Sequence, residues 1–304
     1  MKIAYLILSH NNSVHFEQLI SAISSSSSEI FIHIDKKADF KKFLCVKRDS
    51  LHFINKRIKV YRSHFSQVEA ILLLMQNALE FSNDLQRFVL LSGTDYPLRS
   101  QSYIMNFFEK NPQNEYLNLV KIPNLSEGKP LSRLTGYTPT PTFPSYYLER
   151  MFRGPLRRLG IIPKERNYQK ILGDMIPYGG SEWWALTRNA CQHIIEFVSK
   201  YEKFVKFFKH SRNPEEMFFH IILGNSPYKN NIKDYLTYTD WSAGGGHPAW
   251  ISMDHLRKDK KKLFSLNGNR GNGEFLFARK ISDSSGEVVE KINEMISSYE
   301  KSIL

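Results

Sequence analysis

The sequence predicts an α/β fold built on a mostly parallel sheet flanked by helices, and three apolar patterns at the start of the chain indicate it. Residues 3–8 form a continuous apolar run, residues 14–23 carry apolar side chains at helical spacing, and residues 30–34 return to an apolar run. A strand, a helix and a second strand in this order form a βαβ unit, whose two strands run parallel. With 304 residues, 41% of them hydrophobic, the chain is expected to bury its core as one large domain or two lobes.

The remainder of the chain continues to alternate between strands and helices. Further strands are predicted at 58–61, 87–91, 115–120, 178–187, 235–241 and 275–280. Helices are predicted at 67–81, 188–208, 214–223, 253–264 and 286–303. The first of these helices has one apolar face, made of Val68, Ile71, Leu72, Met75 and Leu79.

Residues 121–147 and 150–170 interrupt this alternation. The first segment is rich in proline and glycine and too long for an ordinary connection, so we expect a functional loop or lid there. The second is basic, and it is as consistent with a solvated face as with a contact to an anionic acceptor or membrane lipid. Its cations are Arg150, Arg153, Arg157, Arg158, Lys164, Arg166 and Lys170.

Charge and cysteine content restrict the classes of function. A formal net charge of +12 and a pI near 9.5 favour an anionic partner: nucleotide phosphates, nucleic acid or an acidic membrane surface. Cys45 and Cys191 belong to no CxxC or Cys/His cluster, which argues against a disulfide framework and structural zinc. No apolar run approaches the roughly 18 residues of a membrane span, and the first residues fit a buried strand better than a signal peptide. We therefore expect a cytoplasmic protein, at most peripheral to the inner face of the cell membrane.

Polar residues follow three of the predicted strands. His10 comes after the first strand, Asp35 after the second, and Asp95 in the turn after the strand at 87–91. Because open parallel sheets bind ligands outside the carboxyl ends of their strands, these residues are expected at one crevice of nucleotide-binding type. Asp95 is better explained by an Asx-type hydrogen bond within its own turn. Neither GxGxxG nor GxxxxGK[ST] occurs, which weighs against dehydrogenases and kinases.

Two adjacent carboxylates stand at a predicted helix start. Asn213 suits the N-cap and Pro214 the first helical position, while acidic residues in the first turn face the positive end of the helix dipole. Glu215 and Glu216 lie about 100° apart on a helix, so one side chain can face solvent and the other can point inward. Complementing the dipole would explain both residues. A single positioned carboxylate is also what a reaction needs to take a proton from a hydroxyl nucleophile.

Two further pairs of adjacent residues, one aromatic and one basic, are candidates for a binding site. Trp183 and Trp184 lie next to each other on a predicted strand, which places one ring on each face. We expect one ring in the core and the other near a sugar, because an aromatic face is an apolar platform. Arg279 and Lys280 end an apolar strand together and are expected to bind phosphate.

Four motifs, taken together and in this order, resemble the Core-2/I-branching glycosyltransferase family, which also contains protein xylosyltransferases. They are SGTDYP at 92–97, GSEWWALT at 180–187, NPEE at 213–216 and FARK at 277–280, and the resemblance covers residues 3–280. It implies a GT-A-type, Rossmann-like nucleotide-sugar-binding fold. It further implies inverting transfer from a UDP-sugar, UDP-GlcNAc or UDP-xylose first, with no cofactor and no divalent metal.

The resemblance also implies roles for individual residues. In the family the final Glu of an [ST]PxE-like motif acts as the base, which matches Glu216; Asn213 stands in place of the Ser or Thr, and Glu215 is left as the dipole partner. The RK pair implies that Lys280 binds the donor diphosphate beside Arg279. A second basic group has no arginine match, and His247 is the nearest candidate. The other expected donor-binding residues are His10, Asp35, Ser66 and Asp95, and the expected acceptor-binding residues are Glu182, Trp183 and Trp184.

The hypothesis is an inverting, metal-independent glycosyltransferase of bacterial surface-polysaccharide synthesis. Its single domain, 1–304, would comprise a nucleotide-binding half (1–120), a loop and basic lid region (121–175) and an acceptor and catalytic half (176–304). The expected partners are the UDP-sugar, a glycan, lipid-linked glycan or peptide acceptor, and an anionic membrane, but no nucleic acid. Two other classes stay open: a non-catalytic nucleic-acid-binding protein, which lacks an RNP, HTH or zinc signature, and a sugar-binding protein.

Overall fold

The computed structural model describes residues 1–10, 13–43, 48–138, 151–152, 154–156, 158–160, 163–242, 244, 247–258, 263–268 and 271–301. The helices include α1 (Ser13–Ile23), α2 (Ser66–Phe81), α3 (Gln101–Lys110), α4 (Ser132–Thr135), α5 (Gln169–Leu172), α6 (Arg188–Lys200), α7 (Glu202–Phe208), α8 (Phe218–Gly224), α9 (Met253–Lys258) and α10 (Gly286–Lys301). The strands are β1 (Lys2–Ser9), β2 (Ser28–Ile34), β3 (Leu51–Phe53), β4 (Leu85–Ser92), β5 (Asp95–Pro97), β6 (Glu115–Tyr116), β7 (Val120–Lys121), β8 (Tyr178–Gly179), β9 (Ala185–Thr187), β10 (Ile232–Lys233), β11 (Thr237–Thr239), β12 (Ser265–Gly268), β13 (Gly271–Glu274) and β14 (Phe277–Arg279).

A seven-stranded sheet forms the centre of the described fold, with the strand order β10-β6-β9-β4-β1-β2-β3. Strands β4, β1, β2 and β3 are parallel neighbours, whereas β9 runs antiparallel to both β4 and β6. The predicted α/β class, with a mixed and mostly parallel central sheet, is therefore confirmed. Because β1, β2 and β4 are parallel, their carboxyl ends meet at one edge of the sheet.

Helices cover both faces of this sheet. Ala4 and Leu6 of β1 belong to a hydrophobic cluster with α2, α6, α7 and α8, whereas Ile3, Tyr5 and Ile7 belong to a second cluster with α1 and α3. The alternation follows from the two-residue period of a strand, and apolar residues at every position fit a strand that is buried on both faces. The continuous apolar run at the start of the sequence is thus explained by the central place of β1.

A smaller sheet, in the order β11-β14-β5, lies beside the central one. Its strand β14 pairs antiparallel with β5, which places Arg279 opposite Asp95. Helices α9 and α10 pack on it through a third hydrophobic cluster. The sheet thereby brings the RK pair to the turn that follows β4.

Residues 58–61 do not form the predicted strand. The third strand of the sheet is β3, which already pairs with β2 through Ile30 to Ile32. Ile58 instead donates its backbone N–H to His33 Nε2 (2.9 Å) and accepts from the backbone N–H of Lys36 (3.0 Å). Ile58 is therefore bonded to residues at and after the end of β2 without joining the sheet.

Other predicted elements are divided. The strand expected at 115–120 consists of β6 and β7, which pair with different partners, and the stretch 178–187 contributes β8 and β9. The helix expected at 188–208 is interrupted at Tyr201, whose φ of −110° and ψ of 64° leave the helical region. The last residues of the helices predicted at 253–264 and 286–303 fall partly outside the described residues.

The region 121–175 is described in part, and Arg150, Arg153 and Arg157 lie outside the described residues. Arg166 is half-buried and donates hydrogen bonds to the carbonyls of Leu134 and Phe207, so this member of the basic segment is structural. The exposed members are Arg158, Lys164 and Lys170. In the part of the chain that the structure covers, no helix has both the length and the apolar composition of a membrane span.

Candidate active site

The ends of three parallel strands form one side of the crevice. The backbone N–H of Asp35 donates to the carbonyl of Ser9 (2.9 Å), and that of Gly93 donates to the carbonyl of Leu8 (2.9 Å). His10 is exposed next to this junction. Desolvation lowers the pKa of His10, against the opposing effect of the Asp35 charge. The imidazole is therefore neutral at neutral pH, and the structure brings His10 and Asp35 together as expected.

Asp35 also organises the segment beside it. One of its carboxylate oxygens accepts from the backbone N–H of Lys37 (2.9 Å), and the other lies 3.4 Å from Lys37 Nζ. The ammonium of Lys37 lies 5.0 Å from the ring centroid of Tyr61 and donates to the Val60 carbonyl (2.6 Å). Ser66, at the start of α2, accepts a hydrogen bond from the backbone N–H of Tyr61 (2.8 Å). Ser66 thus closes the loop that precedes α2.

The NPEE motif forms a 3-10 turn, Pro214–Glu216, and not the first turn of an α-helix. Asn213 adopts a left-handed conformation (φ 51°, ψ 50°), and its side chain makes no cap hydrogen bond. Its amide donates instead to Glu216 Oε1 (3.2 Å). The capping role predicted for Asn213 is therefore wrong, and its side chain orients the carboxylate that follows.

Glu216 is the carboxylate that the crevice exposes. Lys129 Nζ and Arg133 Nη1 both contact its Oε2 atom, and its side chain stays 23% exposed. Burial would raise the pKa of Glu216, but the charges of Lys129 and Arg133 outweigh this effect and lower it. Glu216 is consequently ionised at neutral pH.

Glu215 has the opposite environment. It is 5% exposed, and its Oε2 atom has no hydrogen-bond partner among the described residues. Burial raises its pKa well above the ordinary range, and the charges of Glu182 and Glu216 add to the shift. The predicted role of Glu215 as a helix-dipole partner is wrong, because Glu215 is buried in a three-residue 3-10 turn and does not lie in the first turn of an α-helix.

Gly179 and Gly180 allow the backbone of their segment to lie close to the backbone of Glu216. The backbone N–H of Gly180 donates to the Glu216 carbonyl (2.9 Å), and Lys129 Nζ donates to the Gly180 carbonyl (2.9 Å). A Cβ atom on Gly180 would lie 1.9 Å from the carbonyl oxygen of Asn118, and one on Gly179 would lie 2.9 Å from that of Glu216. Only glycine fits such close backbone contacts.

Two carboxyl groups lie next to Arg279, at the end of β14. Its Nη1 atom lies 3.3 Å from Glu182 Oε1 and its Nε atom 3.4 Å from Asp95 Oδ1. The guanidinium also stacks on Trp183, with Cζ 4.0 Å from the ring centroid. Asp95 is fully buried and accepts from the backbone N–H of Ser92 (2.9 Å). Arg279 is thus held by protein groups on three sides. Asp95 is bonded within its own turn, but its side chain accepts from a residue three positions earlier and not from one two positions later, so the bond is not of the expected Asx type.

Glu182 contacts both Arg279 and Gln67 of α2. Its second carboxylate oxygen contacts Gln67 Nε2. Burial raises the pKa of Glu182 to about 7, although the charge of Arg279 opposes the rise. The charges of Glu216 and Asp95 raise it further. Glu182 is therefore poised between its charged and neutral forms near neutral pH.

Lys280 and His247 come together through one segment. Lys280 Nζ lies 4.2 Å from the ring centroid of Trp250, and the Lys280 carbonyl accepts from the backbone N–H of Ile251 (2.8 Å). His247 is exposed, and its Nε2 atom accepts a hydrogen bond from Arg62 Nη1 (2.7 Å). The side chain of His247 therefore contacts a second cation that the motifs did not indicate.

Both tryptophans are buried, at 5% exposure for Trp183 and 2% for Trp184. They precede β9 and do not lie within a strand, so the two-residue alternation does not separate them. Trp183 supports Arg279, whereas Trp184 packs edge-on against Phe219 at 5.9 Å. The expectation that one ring lies open beside a sugar is wrong.

The site contains further residues that the sequence analysis missed: Lys129, Arg133, Gln67 and Arg62. The proline and glycine content of 121–147 indicated a functional loop, but no pattern within it identified Lys129 or Arg133. Among the described residues, no group of three or more His, Cys, Asp or Glu side chains is placed to hold a metal ion. Cys191 is free and buried, and Cys45 lies outside the described residues.

Comparison with known proteins places this site in a family. Residues 3–262 match the Core-2/I-branching enzyme family. The chain belongs to the Core-2/I-branching enzyme family. This confirms the family predicted from the four motifs and the prediction that the domain is an enzyme.

The curated relatives of this Core-2/I-branching domain include larger proteins. Xylosyltransferase 2 of Rattus norvegicus is 26% identical over 254 residues, and Xylosyltransferase 2 of Mus musculus is 26% identical over 257 residues. Each alignment covers 80% of this chain and 27% of the relative, so the chain spans about a quarter of their length. The crystal structure of mouse xyloside xylosyltransferase 1 in its apo form is similar over 91% of this chain and 96% of that one, with 10% identity and a TM-score of 0.37, which is too low for a structural conclusion.

Proposed function

We propose that this domain transfers a sugar with inversion from a UDP-sugar to an acceptor hydroxyl, without a divalent metal. Glu216 would be the general base, and Lys280 would stabilise the UDP leaving group. The observation that carries the proposal is the ionised and partly exposed carboxylate of Glu216, fixed by Asn213, Lys129 and Arg133. Membership of an enzyme family favours this reading over the two non-catalytic alternatives.

The chemistry of an inverting transfer fits one such carboxylate. The acceptor oxygen forms a bond to the anomeric carbon while the bond from that carbon to the UDP oxygen breaks. The acceptor proton passes to Glu216, and the electron pair of the broken bond leaves with UDP. One base suffices on the acceptor side, in contrast to a retaining hydrolase, which uses two carboxylates at close range.

Lys129 and Arg133 make Glu216 a weak base that stays ionised. Its lowered pKa keeps the carboxylate available to accept a proton at neutral pH. A weak base is adequate when the bond to the leaving group breaks early and positive charge develops on the sugar ring, as in an oxocarbenium-like transition state. Lys129 and Arg133 thus keep Glu216 in the ionised form that can accept a proton, but they lower its affinity for that proton.

The positive charge that a leaving diphosphate needs would come from fixed side chains. Burial and the charges of Arg279 and Arg62 lower the pKa of Lys280, and an anion bound there would relieve this crowding of positive charge. Preorganised cations can stabilise a departing phosphate in the way a metal ion does. His10 and Asp35, at the strand ends, are the proposed contacts of the uridine.

The donor and the acceptor are proposed from the relatives and from the resemblance. Because the curated relatives are xylosyltransferases, UDP-xylose is the first donor to test and UDP-GlcNAc the second. The acceptor would be a glycan, a lipid-linked glycan or a peptide. We propose a cytoplasmic bacterial enzyme of surface-polysaccharide synthesis, in peripheral contact with an anionic membrane.

The test is the release of UDP from UDP-xylose and UDP-GlcNAc with water as acceptor, with and without EDTA. Glu216→Gln is expected to lower kcat by about 10²–10⁴-fold, the usual contribution of a general base, while UDP still binds. Glu80→Gln, which changes an exposed glutamate near the far end of α2, is the matched control. Undiminished turnover by Glu216→Gln would remove Glu216 as the base, and abolition by EDTA would refute metal independence.

A further inference from the structure

A cavity lies at the amino end of β4, at the edge of the central sheet opposite the crevice. Its volume is about 540 Å³, within the range of about 300–1,000 Å³ that small-molecule sites usually have. Gln86 near the start of β4 and Thr187 at the end of β9 both line it. The crevice lies at Ser92, where β4 ends. About 20 Å of strand therefore separates the cavity from the crevice.

Buried charged groups hold the walls of the cavity in place. The guanidinium of Arg87 donates hydrogen bonds to three carbonyls of the loop 111–114. The carboxyl oxygens of Glu115 accept from the backbone N–H (2.8 Å) and the hydroxyl (2.5 Å) of Thr187. The guanidinium of Arg188 donates to carbonyls at the end of α2 and the start of β4. Because these bonds tie the loop, β9 and the start of α6 together, the cavity is formed before any ligand binds.

The charged side chains that line the cavity are already engaged by the protein. Glu115 is 0% exposed and Arg188 is 8% exposed. Glu109, the other acid, lies 3.5 Å from the N-terminal ammonium of Met1. Among the described residues of the lining, each cation and each acid therefore has a partner within the protein. Since a charge that is taken out of water without a partner is costly, a neutral ligand fits this cavity better than an ionic one.

The side chains that remain for a ligand are three carboxamides and one aromatic ring. No hydrogen bond within the described part of the chain engages the amides of Gln113, Asn189 and Asn231, all of which line the cavity. A carboxamide has two N–H donors and an acceptor oxygen, so it can bond neighbouring hydroxyls of a sugar as donor and as acceptor. The ring of Tyr228 also lines the cavity and is held by an edge contact with His193 at 5.6 Å. An aromatic ring offers an apolar platform for a sugar ring.

We infer that this cavity binds a segment of a neutral oligosaccharide, as a carbohydrate site separate from the crevice. Its contacts come from the segments 112–115, 187–189 and 228–231. In an enzyme whose acceptor is a glycan, such a site retains one part of the glycan while another part reaches Glu216. This use of the cavity rests on the proposed function, and it favours a glycan over a peptide as the acceptor. The binding itself does not depend on that function.

The experiment measures dissociation constants for xylotetraose, chitotetraose and maltotetraose by calorimetry, with and without saturating UDP. Binding of at least one of them is expected in the millimolar range, and UDP should not displace it. Asn189→Ala and Asn231→Ala should each weaken binding about threefold to tenfold, the effect of one lost hydrogen bond. Tyr228→Ala should weaken it further. The matched control is Asn230→Ala, which changes an exposed asparagine outside the lining and should leave the constants unchanged.

A second measurement separates this inference from the proposed function. Release of UDP with water as acceptor should be the same in Asn189→Ala, Asn231→Ala and wild type, because the cavity is remote from Glu216. If the variants lose oligosaccharide binding as expected but wild type releases no UDP, the carbohydrate site stands and the proposed function fails.

Three results would overturn the carbohydrate site while leaving the proposed function intact. The first is that none of the three oligosaccharides binds. The second is that UDP displaces them, which would place the sugar in the crevice. The third is that Asn189→Ala, Asn231→Ala and Tyr228→Ala bind them as tightly as Asn230→Ala does.

Discussion

Two pairs of adjacent like charges meet at the site, Glu215 with Glu216 and Arg279 with Lys280. In each pair, protein groups enclose the side chain of one member, and the side chain of the other member is partly open to solvent. Glu215 is buried while its neighbour is partly exposed. Arg279 is enclosed by Trp183 and two carboxylates, whereas Lys280 rests on the open face of Trp250, which is itself exposed. The division of roles is the same at both ends of the site.

The two enclosed members are neutralised in different ways. Arg279 has two carboxyl groups, those of Asp95 and Glu182, as ion-pair partners. Glu215 has acidic neighbours, so burial and repulsion raise its pKa and favour the protonated form. The difference teaches that a buried charge needs either a partner or a proton. Removing Arg279 should therefore lower the free energy of unfolding, whereas replacing Glu215 by a neutral residue should not.

The largest effect is expected from Arg279→Ala, which leaves Asp95 and Glu182 without their cation. The free energy of unfolding should fall by about 3–5 kcal/mol, the usual cost of removing one partner of a buried ion pair. Urea denaturation followed by tryptophan fluorescence measures it. Arg279→Lys keeps the charge but loses the planar stack on Trp183, so it should lie between wild type and Arg279→Ala. A loss below about 1 kcal/mol would contradict the structural role of Arg279.

The sequence predicted the parts of the site that depend on chain order. Strand ends in a βαβ unit determine where His10 and Asp35 lie, because parallel strands finish at one edge. The fold class followed from the same periodicity. The motif NPEE pointed to Glu216 by resemblance, although the local geometry of the motif, a 3-10 turn with a left-handed Asn213, was not predictable from helix propensity.

The sequence did not predict contacts made by side chains across long separations. Lys129 lies before helix α4 and Arg133 within it, in a segment rich in proline and glycine that has no periodic pattern, and both contact Glu216. Arg62 meets His247 across 185 positions, and such pairings depend on tertiary packing that no local pattern encodes. The two tryptophans were misplaced because a strand was assumed where β9 begins only at Ala185.

The next effect concerns pH and separates Glu215 from Glu216. The raised pKa of Glu215 gives stability that is present below about pH 4.3, its ordinary pKa, and is lost as the pH rises through the folded value. The lowered pKa of Glu216 gives stability that is present above about 4.3 and is lost as the pH falls through the folded value. At neutral pH, Glu216→Gln should therefore lower the free energy of unfolding by about 1–2 kcal/mol, whereas Glu215→Gln should not lower it.

Denaturation curves for both variants at pH 5 and pH 8 provide the measurement. Glu215→Gln should flatten the decline in stability between these two pH values, because an amide at this position cannot ionise. A residual decline is expected from Glu182, whose raised pKa of about 7 acts in the same direction. Destabilisation of equal size by the two substitutions at pH 8 would show that the two carboxyl groups do not differ as proposed.

The smallest effect on stability is expected from Lys280→Met, which keeps the apolar stem against Trp250 and removes only the charge. The free energy of unfolding should change by less than about 0.5 kcal/mol, as for most surface substitutions. UDP binding, measured by calorimetry, should nevertheless weaken about tenfold, since a charge-assisted hydrogen bond to phosphate is lost. The comparison with Arg279→Ala is the decisive one, because the two residues are adjacent and carry the same charge. Equal losses of stability in the two variants would contradict a structural role that belongs to Arg279 alone. Unchanged UDP affinity in Lys280→Met would contradict the proposed role of Lys280 in binding UDP.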